Sequence, residues 1–485
     1  MTTHHGHFIG GQFVDSATHF NKRSPLDNSV IATIAEASQQ QVDQAVFAAS
    51  AAQSGSWGRL SVEQRCELLH KVADGITARF DEFVEAEMRD TGQPRSVMEH
   101  AFIPRGASNF RVFADAVKNV PTESFQMSTP DGEGAFNYAV RSPKGVIGVI
   151  CPWNAPFLLM TWKVGPALAC GNSVIVKPSE ETPATALLLA EVMRDVGIPD
   201  GVYNVLNGRG PQATGEWITQ HQGIDAITFT GETQTGAAIM RNAANGIRDI
   251  SFELGGKNAG IVFADADIDK AIEGIGRSCF LNTGQVCLGT ERVYVQRPIF
   301  DEFSARLKEK AQSYRYGDPG DPATTMGPLI SREHQAKVLK YYQLAIDEGA
   351  TLIAGGGVPE VAAEYAEGAW VEPTIWTGLA DDASVVIDEI FGPCTHLRPF
   401  DTEEEVIALA NDTRYGLSTT IWTENLRCAH RVAGRVDVGI TWVNSWFLRD
   451  LRTPFGGSKQ SGIGREGGVH SLEFYSELRN ICVKL

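Results

Sequence analysis

Short apolar segments alternate with helical segments over residues 145–256, and this alternation restricts the fold more than any other feature. Two helical segments, at 182–195 and 233–245, carry Pro183 in the first turn and Gly246 just past the end, respectively. Four short runs between and around them have the composition of buried strands: GVIGVIC (145–151), NSVIVKP (172–178), GVYNVL (201–206) and AITFTG (226–231). Such a β-α-β-α order predicts a doubly wound parallel sheet.

A second α/β series follows residue 256. Its predicted strands are NAGIVF (258–263), ERVYVQ (291–296), TTIWT (419–423) and GITWVNS (439–445), and its predicted helices lie at 267–280, near 300–313 and at 332–348. We therefore predict an α/β fold with two doubly wound parallel-sheet domains. The cofactor domain comprises residues 1–122 and 143–254, and the catalytic domain comprises residues 255–442.

Two polar, alternating segments stand apart from this pattern. Residues 123–141 predict a β-hairpin, and SLEFYSEL (471–478) predicts a strand near the C-terminus. We assign 123–142 and 469–485 to a small β element that pairs with another subunit, with an intramolecular sheet edge as the alternative. Residues 443–468 are predicted to return and line the active site.

The charge and cysteine patterns exclude several functional classes. Lys plus Arg total 42 against 59 for Asp plus Glu, the net charge is −17, and no long basic run occurs. Nucleic acids and anionic membrane surfaces are therefore disfavoured as partners. The 8 cysteines are scattered without a Cys-x-x-Cys pair, which argues against zinc and iron–sulfur sites and fits free thiols in a reducing cytoplasm.

Two segments could be mistaken for a membrane span and for a signal peptide or metal site. Residues 145–162 carry no charge and approach the length of a bilayer span, but Pro152, Asn154 and Pro156 predict a buried strand followed by a structured loop. The N-terminus lacks the features of a signal peptide. Its histidines, His4, His5 and His7, could bind a metal, but we expect a frayed, solvated terminus and no metal site.

Two strand–loop junctions could hold a nucleotide. In FTGETQTG (229–236) a strand ends at a glycine turn and a helix begins, so the helix N–H groups could bind a pyrophosphate, although Glu232 would repel phosphate and an ordinary turn fits equally well. In VKPSEETP (176–183), Lys177 and Glu180 could bind ribose hydroxyls, and the carboxylate favours NAD over NADP. Helix capping by Ser179 is the alternative.

Three further residues could carry chemistry. Cys287 lies between Gly284 and Gly289, where backbone can approach a ligand, and it is a candidate nucleophile, although most cysteines are small buried side chains. Glu253 ends an apolar strand and is a candidate general base or a structural ion-pair partner. Asn154, between two prolines, could donate to an oxyanion or simply form a turn.

The order of these motifs resembles the NAD(P)-dependent aldehyde dehydrogenases over nearly the whole chain. The similarity also includes Glu389-Ile-Phe-Gly-Pro393 and Pro454-Phe-Gly-Gly457. Within that family, residues 161–172, 443–468 and the C-terminal segment are most similar to the members that oxidise 2-hydroxymuconic semialdehyde in catechol meta-cleavage. Members that oxidise 2-aminomuconic semialdehyde are also similar.

The resemblance implies a role for each matching residue. Cys287 is the implied nucleophile, Glu253 the base for hydrolysis, and Asn154 with the Cys287 backbone N–H the oxyanion hole. The implied NAD contacts are Lys177 and Glu180 at the adenosine ribose, Gly231 and Glu232 near the pyrophosphate, Glu389 and Phe391 at the nicotinamide riboside, Trp153 lining the cleft, and Leu254. The resemblance further implies a homodimer or homotetramer.

A substrate with a carboxylate requires a cation in the pocket. Arg105 and Arg449 are our preferred pair for the acid and enol end, with Arg452 as a further candidate that structural pairing with Asp450 would explain equally well. Trp162 and Trp446 could enclose a flat conjugated substrate, with core packing as the alternative for Trp162. A thiol hydrolase or esterase that works without NAD, and a non-catalytic relative, are the alternatives from other classes.

Overall fold

The computed structural model describes residues 2–485 and contains two large sheets covered by helices. The helices are α1 (Gln39–Ser54), α2 (Val62–Ala78), α3 (Phe80–Thr91), α4 (Arg95–Val97), α5 (Ile103–Val117), α6 (Pro156–Ala169), α7 (Ala184–Asp195), α8 (Thr214–Gln220), α9 (Thr233–Ala244), α10 (Ile268–Phe280), α11 (Phe300–Gln312), α12 (Arg332–Asp347), α13 (Ser384–Ile387), α14 (Glu403–Asn411), α15 (Leu426–Ala433) and α16 (Gly468–Phe474).

Each of the eight predicted apolar runs overlaps a strand, and the structure has further strands that the sequence did not predict. The strands are β1 (Thr3–His5), β2 (His7–Ile9), β3 (Gln12–Val14), β4 (Thr18–Arg23), β5 (Val30–Glu36), β6 (Ser124–Met127), β7 (Ala135–Pro143), β8 (Val146–Ile150), β9 (Ser173–Lys177), β10 (Tyr203–Val205), β11 (Ala226–Thr230), β12 (Asp249–Glu253), β13 (Asn258–Val262), β14 (Thr290–Gln296), β15 (Thr351–Ala354), β16 (Thr374–Thr377), β17 (Cys394–Phe400), β18 (Tyr415–Gly416), β19 (Ser418–Trp422), β20 (Ile440–Val443), β21 (Ser458–Lys459), β22 (Gly462–Ile463) and β23 (Ser476–Lys484).

The first large sheet has eight strands in the order β22-β12-β11-β8-β9-β10-β2-β3. Its central strands run parallel, and β22 returns from the C-terminal part of the chain to pair antiparallel with β12. One face packs on α2, α3, α5, α6 and α7, and the other packs on α1, α8 and α9. Helices on both faces of a parallel sheet are the doubly wound arrangement.

The second large sheet has seven strands in the order β15-β16-β17-β14-β13-β19-β20. Residues of α10 and α11 bury one face, and residues of α14 and α15 bury the other. The chain leaves the first sheet at β12 and enters the second at β13, so the four residues between these strands join the two sheets.

A separate three-stranded antiparallel sheet has the order β23-β7-β6. β23 pairs with β7 over its whole length. The prediction that the strand begins at residue 471 is wrong, because α16 continues to Phe474. Leu472 and Tyr475 are both buried at helical spacing in the first core, and a few alternating residues fit a helix as well as a strand.

The prediction of a frayed N-terminus is also wrong. β1 pairs in parallel with β5, and β2 joins the first large sheet. His7 is fully buried. Both of its ring nitrogens have a partner, since Nε2 contacts the Ser16 hydroxyl at 2.8 Å and Nδ1 accepts from the backbone N–H of Asn207 at 3.1 Å. Within residues 2–485, no helix is both long and apolar enough to cross a membrane.

Candidate active site

The carboxyl ends of four neighbouring strands carry four of the predicted site residues. β8 pairs in parallel with β9 and β11, and β11 pairs in parallel with β12. Asn154 lies in the loop after β8, Lys177 ends β9, Gly231 follows β11 and Glu253 ends β12. Ligands of open α/β sheets bind beyond this edge, so the topology places these residues where a ligand would bind.

The loop that carries Cys287 enters the same region from the second domain in a strained conformation. Asn282 and Thr283 have left-handed φ angles of 54° and 55° and are followed by Gly284 at 70°. A Cβ on Gly284 would lie 2.0 Å from the carbonyl oxygen of Gly392, so no other residue fits there. Consecutive left-handed residues persist only where surrounding contacts hold them.

Hydrogen bonds join this loop to the loop of Asn154. The side-chain amide of Asn154 donates to the carbonyl of Gln285 at 2.9 Å, and the amide of Asn282 donates to the carbonyl of Asn154 at 2.8 Å. Asn154 is buried, so its amide has little freedom to rotate. These contacts hold an N–H donor beside the Cys287 loop, as an oxyanion site requires.

The Cys287 side chain is half-buried against an aromatic cluster that includes Trp446 and Phe455. Burial raises the pKa of its thiol to about 12, and the nearby carboxyl groups of Glu253 and Glu389 act in the same direction. The thiol is therefore neutral at pH 7 in the free protein. A base or a cation must act on it before it can become a nucleophile.

Glu253 is buried at the end of β12, and its Oε1 has no hydrogen-bond partner within residues 2–485. Burial raises the pKa of this carboxyl to about 8, and Glu466 adds to the rise while Lys163 and Arg449 oppose it. Lys163 and Glu466 form a fully buried ion pair at 2.7 Å. A buried carboxyl that titrates near neutral pH is suited to act as a general base.

Lys177 and Glu180 lie together beyond β9, where the resemblance implies the adenosine ribose. The Lys177 ammonium lies 3.6 Å from the Glu180 carboxylate and donates to the Pro178 carbonyl at 2.9 Å. Lys177 is buried, whereas Glu180 is half-exposed. A donor and an acceptor side by side fit a diol, and the carboxylate disfavours a phosphate on that ribose.

The turn between β11 and α9 is built for close approach. A Cβ on Gly231 would lie 2.4 Å from the ring of Phe229. Glu232 precedes α9, its side chain is exposed, and it makes no capping hydrogen bond, so it leaves the N-terminal N–H groups of this helix accessible. Leu254 packs over Gly236 on the same helix. The turn therefore fits a pyrophosphate despite the acidic side chain.

Glu389 and Phe391 lie on a turn that faces the end of β12. The Glu389 carboxylate accepts from the backbone N–H of Gly256 at 2.8 Å, and burial raises the pKa of this carboxyl to about 8. Phe391 has a left-handed φ of 62°, and its ring meets that of Trp153 edge-on at 5.4 Å. The residues predicted to hold the nicotinamide end are thus neighbours in the fold.

Arg449 and Arg105 converge on Trp162. The Arg449 guanidinium carbon lies 4.1 Å from the centre of the Trp162 ring and 3.7 Å from that of Phe455, and Arg105 lies 5.7 Å from Trp162. Four donors have no acceptor within residues 2–485: Nε and Nη2 of Arg449, Nε of Arg105, and the Trp162 indole N–H. Burial lowers the pKa of Arg449 to about 9 and that of Arg105 to about 10.

Arg452 does not join this cluster. Its guanidinium pairs with Asp450 at 2.6 Å, and its side chain is 79% exposed. The structural ion pair considered from the sequence therefore describes Arg452 better than a substrate contact does. Trp446 packs below Cys287, where its indole N–H donates to the carbonyl of Leu288 at 3.0 Å.

Sequence reasoning missed several residues that support the site. Lys163 is the one charge in the apolar segment FLLMTWKVGPALA, a signal that could have been noticed, but nothing in the sequence pairs it with Glu466. Phe455, which contacts the Arg449 guanidinium, has no sequence signal beyond its place in the Pro454-Phe-Gly-Gly457 motif. Glu87 of α3 is fully buried and accepts from the backbone N–H of Phe157 at 3.1 Å, in the first turn of the helix after Asn154.

Comparison with known proteins covers nearly the whole chain. Residues 13–481 match the sequence profile of the aldehyde dehydrogenase family. The chain is 68% identical to the 2-hydroxymuconic semialdehyde dehydrogenase of Pseudomonas sp. (strain CF600) over 481 residues, covering 99% of each chain, and 57% identical to a 2-aminomuconic 6-semialdehyde dehydrogenase of Pseudomonas sp. over 478 residues, covering 99% and 97%. An aldehyde dehydrogenase from Bacillus cereus solved as an NAD+ complex superposes with a TM-score of 0.95 at 37% identity, covering 99% and 97%.

Proposed function

The chain belongs to the aldehyde dehydrogenase family, and on that premise we propose that it oxidises 2-hydroxymuconic semialdehyde to the dicarboxylic acid with NAD. The predicted family, the α/β fold, the enzyme class and the NAD cofactor are confirmed. The two muconic semialdehyde dehydrogenases quoted above point to carboxylated, conjugated aldehydes.

The unpaired arginines carry the substrate proposal. Neither Arg105 nor Arg449 has a carboxylate partner within residues 2–485, although both are largely buried. A buried cation without a partner is destabilising, and a bound carboxylate would satisfy both guanidinium groups. Trp162 offers a flat apolar face and a free N–H in the same place. These groups are complementary to a planar acid, and a neutral aliphatic aldehyde would leave them unsatisfied.

In the proposed mechanism the Cys287 thiol loses its proton to solvent, the thiolate attacks the aldehyde carbon, and Asn154 donates to the oxyanion that forms. Fixed donors stabilise this charge more in the transition state than in the ground state. NAD, when bound, would supply the hydride acceptor. Cys287 holds the resulting thioester. Glu253 then removes a proton from the attacking water, and the acid leaves.

The residues facing the cofactor cleft fit NAD. Lys177 and Glu180 offer a donor and an acceptor at 3.6 Å, the first turn of α9 has no capping side chain, and Glu389 lies against the glycine pair that follows Glu253. A thiol hydrolase would need none of these features, so the dehydrogenase is favoured over that alternative.

We also propose that the chain forms a homodimer or homotetramer through the sheet β23-β7-β6. This sheet exposes apolar side chains along both edge strands, among them Phe125, Met127, Leu478 and Val483. Exposed edges of this kind favour pairing with another chain. Light scattering after gel filtration tests the proposal.

A cytoplasmic location is proposed because all eight cysteines are free thiols, and cell fractionation tests it.

The activity test compares three aldehydes and two cofactors. The protein is mixed with NAD and 2-hydroxymuconic semialdehyde, with parallel reactions containing a neutral aliphatic aldehyde, 2-aminomuconic semialdehyde, or NADP. We expect NADH formation with a kcat/KM for the hydroxy semialdehyde far above that for the neutral aldehyde. Equal and poor turnover of both would refute the substrate assignment, and faster turnover of the amino compound would reassign it. Substrate hydrolysis without NAD would refute the dehydrogenase mechanism.

A further inference from the structure

Two imidazoles and a carboxylate converge on the small N-terminal sheet. His4 lies on β1, His19 on β4, and Asp15 in the turn between β3 and β4. Nε2 of His4 lies 3.1 Å from Oδ1 of Asp15, and Nε2 of His19 lies 2.9 Å from the same oxygen. The three potential ligand atoms all lie within 4.8 Å of one another. The cluster belongs to the sheet β1-β5-β4 and shares no strand with the active site.

The sheet register explains the convergence of the two histidines. β5 lies between β1 and β4, with His4 opposite Thr33 and His19 opposite Ala35. Residues two apart on a strand face the same side of a sheet, so both imidazoles project from one face. The sequence offered no sign of this, because His19 is separated from the N-terminal histidines along the chain.

The carboxylate is held in place by the start of α1. The side-chain amide of Gln41 donates to the backbone carbonyl of Asp15 at 2.8 Å, and the Ser16 hydroxyl donates to the Gln41 side-chain oxygen at 2.6 Å. The backbone N–H of Ser16 donates to Oδ1 of Asp15 at 2.8 Å. The turn that carries Asp15 is therefore fixed before any ligand arrives, and preorganisation reduces the cost of binding.

The donor set and its spacing fit a transition metal. Ligands about 2.0–2.1 Å from a tetrahedral zinc ion are about 3.3 Å apart, a few tenths of an ångström more than the N···O distances of 3.1 and 2.9 Å. Imidazole nitrogen favours zinc, copper and nickel over magnesium and calcium, which take oxygen ligands. A groove of about 380 Å³, lined also by Thr2, Thr3 and Thr33, leaves room for water ligands.

We propose that His4, Asp15 and His19 form a binding site for one zinc-class divalent ion, which links β1 to β4 across the N-terminal sheet. The ion replaces the hydrogen bonds between the imidazoles and Asp15, and each imidazole binds through its Nε2 lone pair. Because all three residues are partly exposed, the ion can enter without local unfolding. The site would stabilise the N-terminal strands rather than take part in the oxidation.

The test measures zinc binding to the full chain after treatment with a chelator. Isothermal titration with ZnCl2 at pH 7.5 compares the wild type with His19→Ala and Asp15→Asn. We expect the wild type to bind one more ion per chain than either variant, or to bind it at least about tenfold more tightly. We also expect zinc to raise the Tm of the wild type and to raise it less in the variants. NAD-dependent activity verifies that each variant is folded.

The matched control is His70→Ala. His70 is an exposed histidine paired with Asp115 at 3.2 Å, but it lacks a second imidazole, so this variant should bind zinc like the wild type. Zinc binding that persists unchanged in both site variants would overturn the proposal, because it would show that the ion is bound without His19 and Asp15, for example by the other N-terminal histidines or by thiols. A wild type without zinc binding would overturn it as well.

Discussion

Substitution of Arg449 by alanine tests the proposed substrate site most directly. Two of its nitrogens are buried without an acceptor within residues 2–485, so a bound carboxylate would gain charge-assisted hydrogen bonds worth roughly 1.5–3 kcal/mol. The loss corresponds to about a 10- to 150-fold lower kcat/KM for a carboxylated semialdehyde. A neutral aldehyde does not use the arginine in this way, so its kcat/KM should change little.

A second effect of the substitution must be separated from the first. The charge of Arg449 lowers the pKa of Glu253, which lies at about 8 in the intact protein. Without that charge the pKa of Glu253 rises, so the pH at which the base becomes ionised should move upward with every aldehyde. The two substrates should therefore be compared on the plateau above this transition, where the base is ionised in both proteins.

The assay follows NADH formation with 2-hydroxymuconic semialdehyde and with a neutral aliphatic aldehyde across a pH series. Arg452→Ala is the matched control, because Arg452 pairs with Asp450 and is mostly exposed, and it should remain within about twofold of the wild type. Equal losses with both aldehydes on the plateau would mean that Arg449 is structural. An equal loss in the Arg452 variant would refute our description of the pocket.

Three other substitutions test the oxyanion contact, the general base and the effect of a buried carboxyl group on stability. Asn154→Ala should lower kcat by about 10²–10³, the effect of one oxyanion donor, and a change in KM alone would contradict that role. Glu253→Gln should give a burst of NADH in stopped-flow measurements and then stall at the thioester, whereas an undiminished steady rate would exclude it as the base. Burial raises the pKa of Glu87 to about 8, so the free energy of unfolding should fall as the pH rises from about 4.3 through 8. Glu87→Gln should flatten that decline in urea titrations between pH 6 and 9.5, and an unchanged slope would contradict the assignment.

The core strands were predictable because burial on both faces produces uninterrupted apolar runs. β8 and β9 are buried along their whole length. β8 has no polar residue, and β9 has three consecutive apolar residues between Ser173 and Lys177. The N-terminal strands were not predictable, since β1 is short and exposed and depends on pairing with β5. The C-terminal strand was placed too early because a few residues cannot distinguish a period of two from one of 3.6.

The candidate site shows the same division between local and long-range information. Cys287 and Glu253 lie in glycine-flanked segments that signal a special backbone, so local sequence identifies them. Lys163 and Glu466 are separated by 303 positions, and only the return of the chain through β22 brings them together. The pairing cannot be derived from either segment alone. Conversely, Arg452 has a side chain that could bind a carboxylate and lies in the same loop as Arg449. Its ion pair with Asp450 nevertheless keeps it out of the arginine cluster.

The electrostatics of the proposed site would allow it to bind an acid and still use carboxyl groups in catalysis. Burial raises the pKa of Glu253 and Glu389 to about 8, so both are mostly neutral at pH 7 and repel a substrate carboxylate less than ionised groups would. Arg105 and Arg449 remain charged, because their lowered pKa values still lie near 10 and 9. Near pH 7 these four groups together therefore carry a positive charge, in a chain whose net charge is −17. We propose that selectivity for an anionic aldehyde follows from the burial of these four groups, which suppresses the ionisation of the acids while leaving the arginines charged.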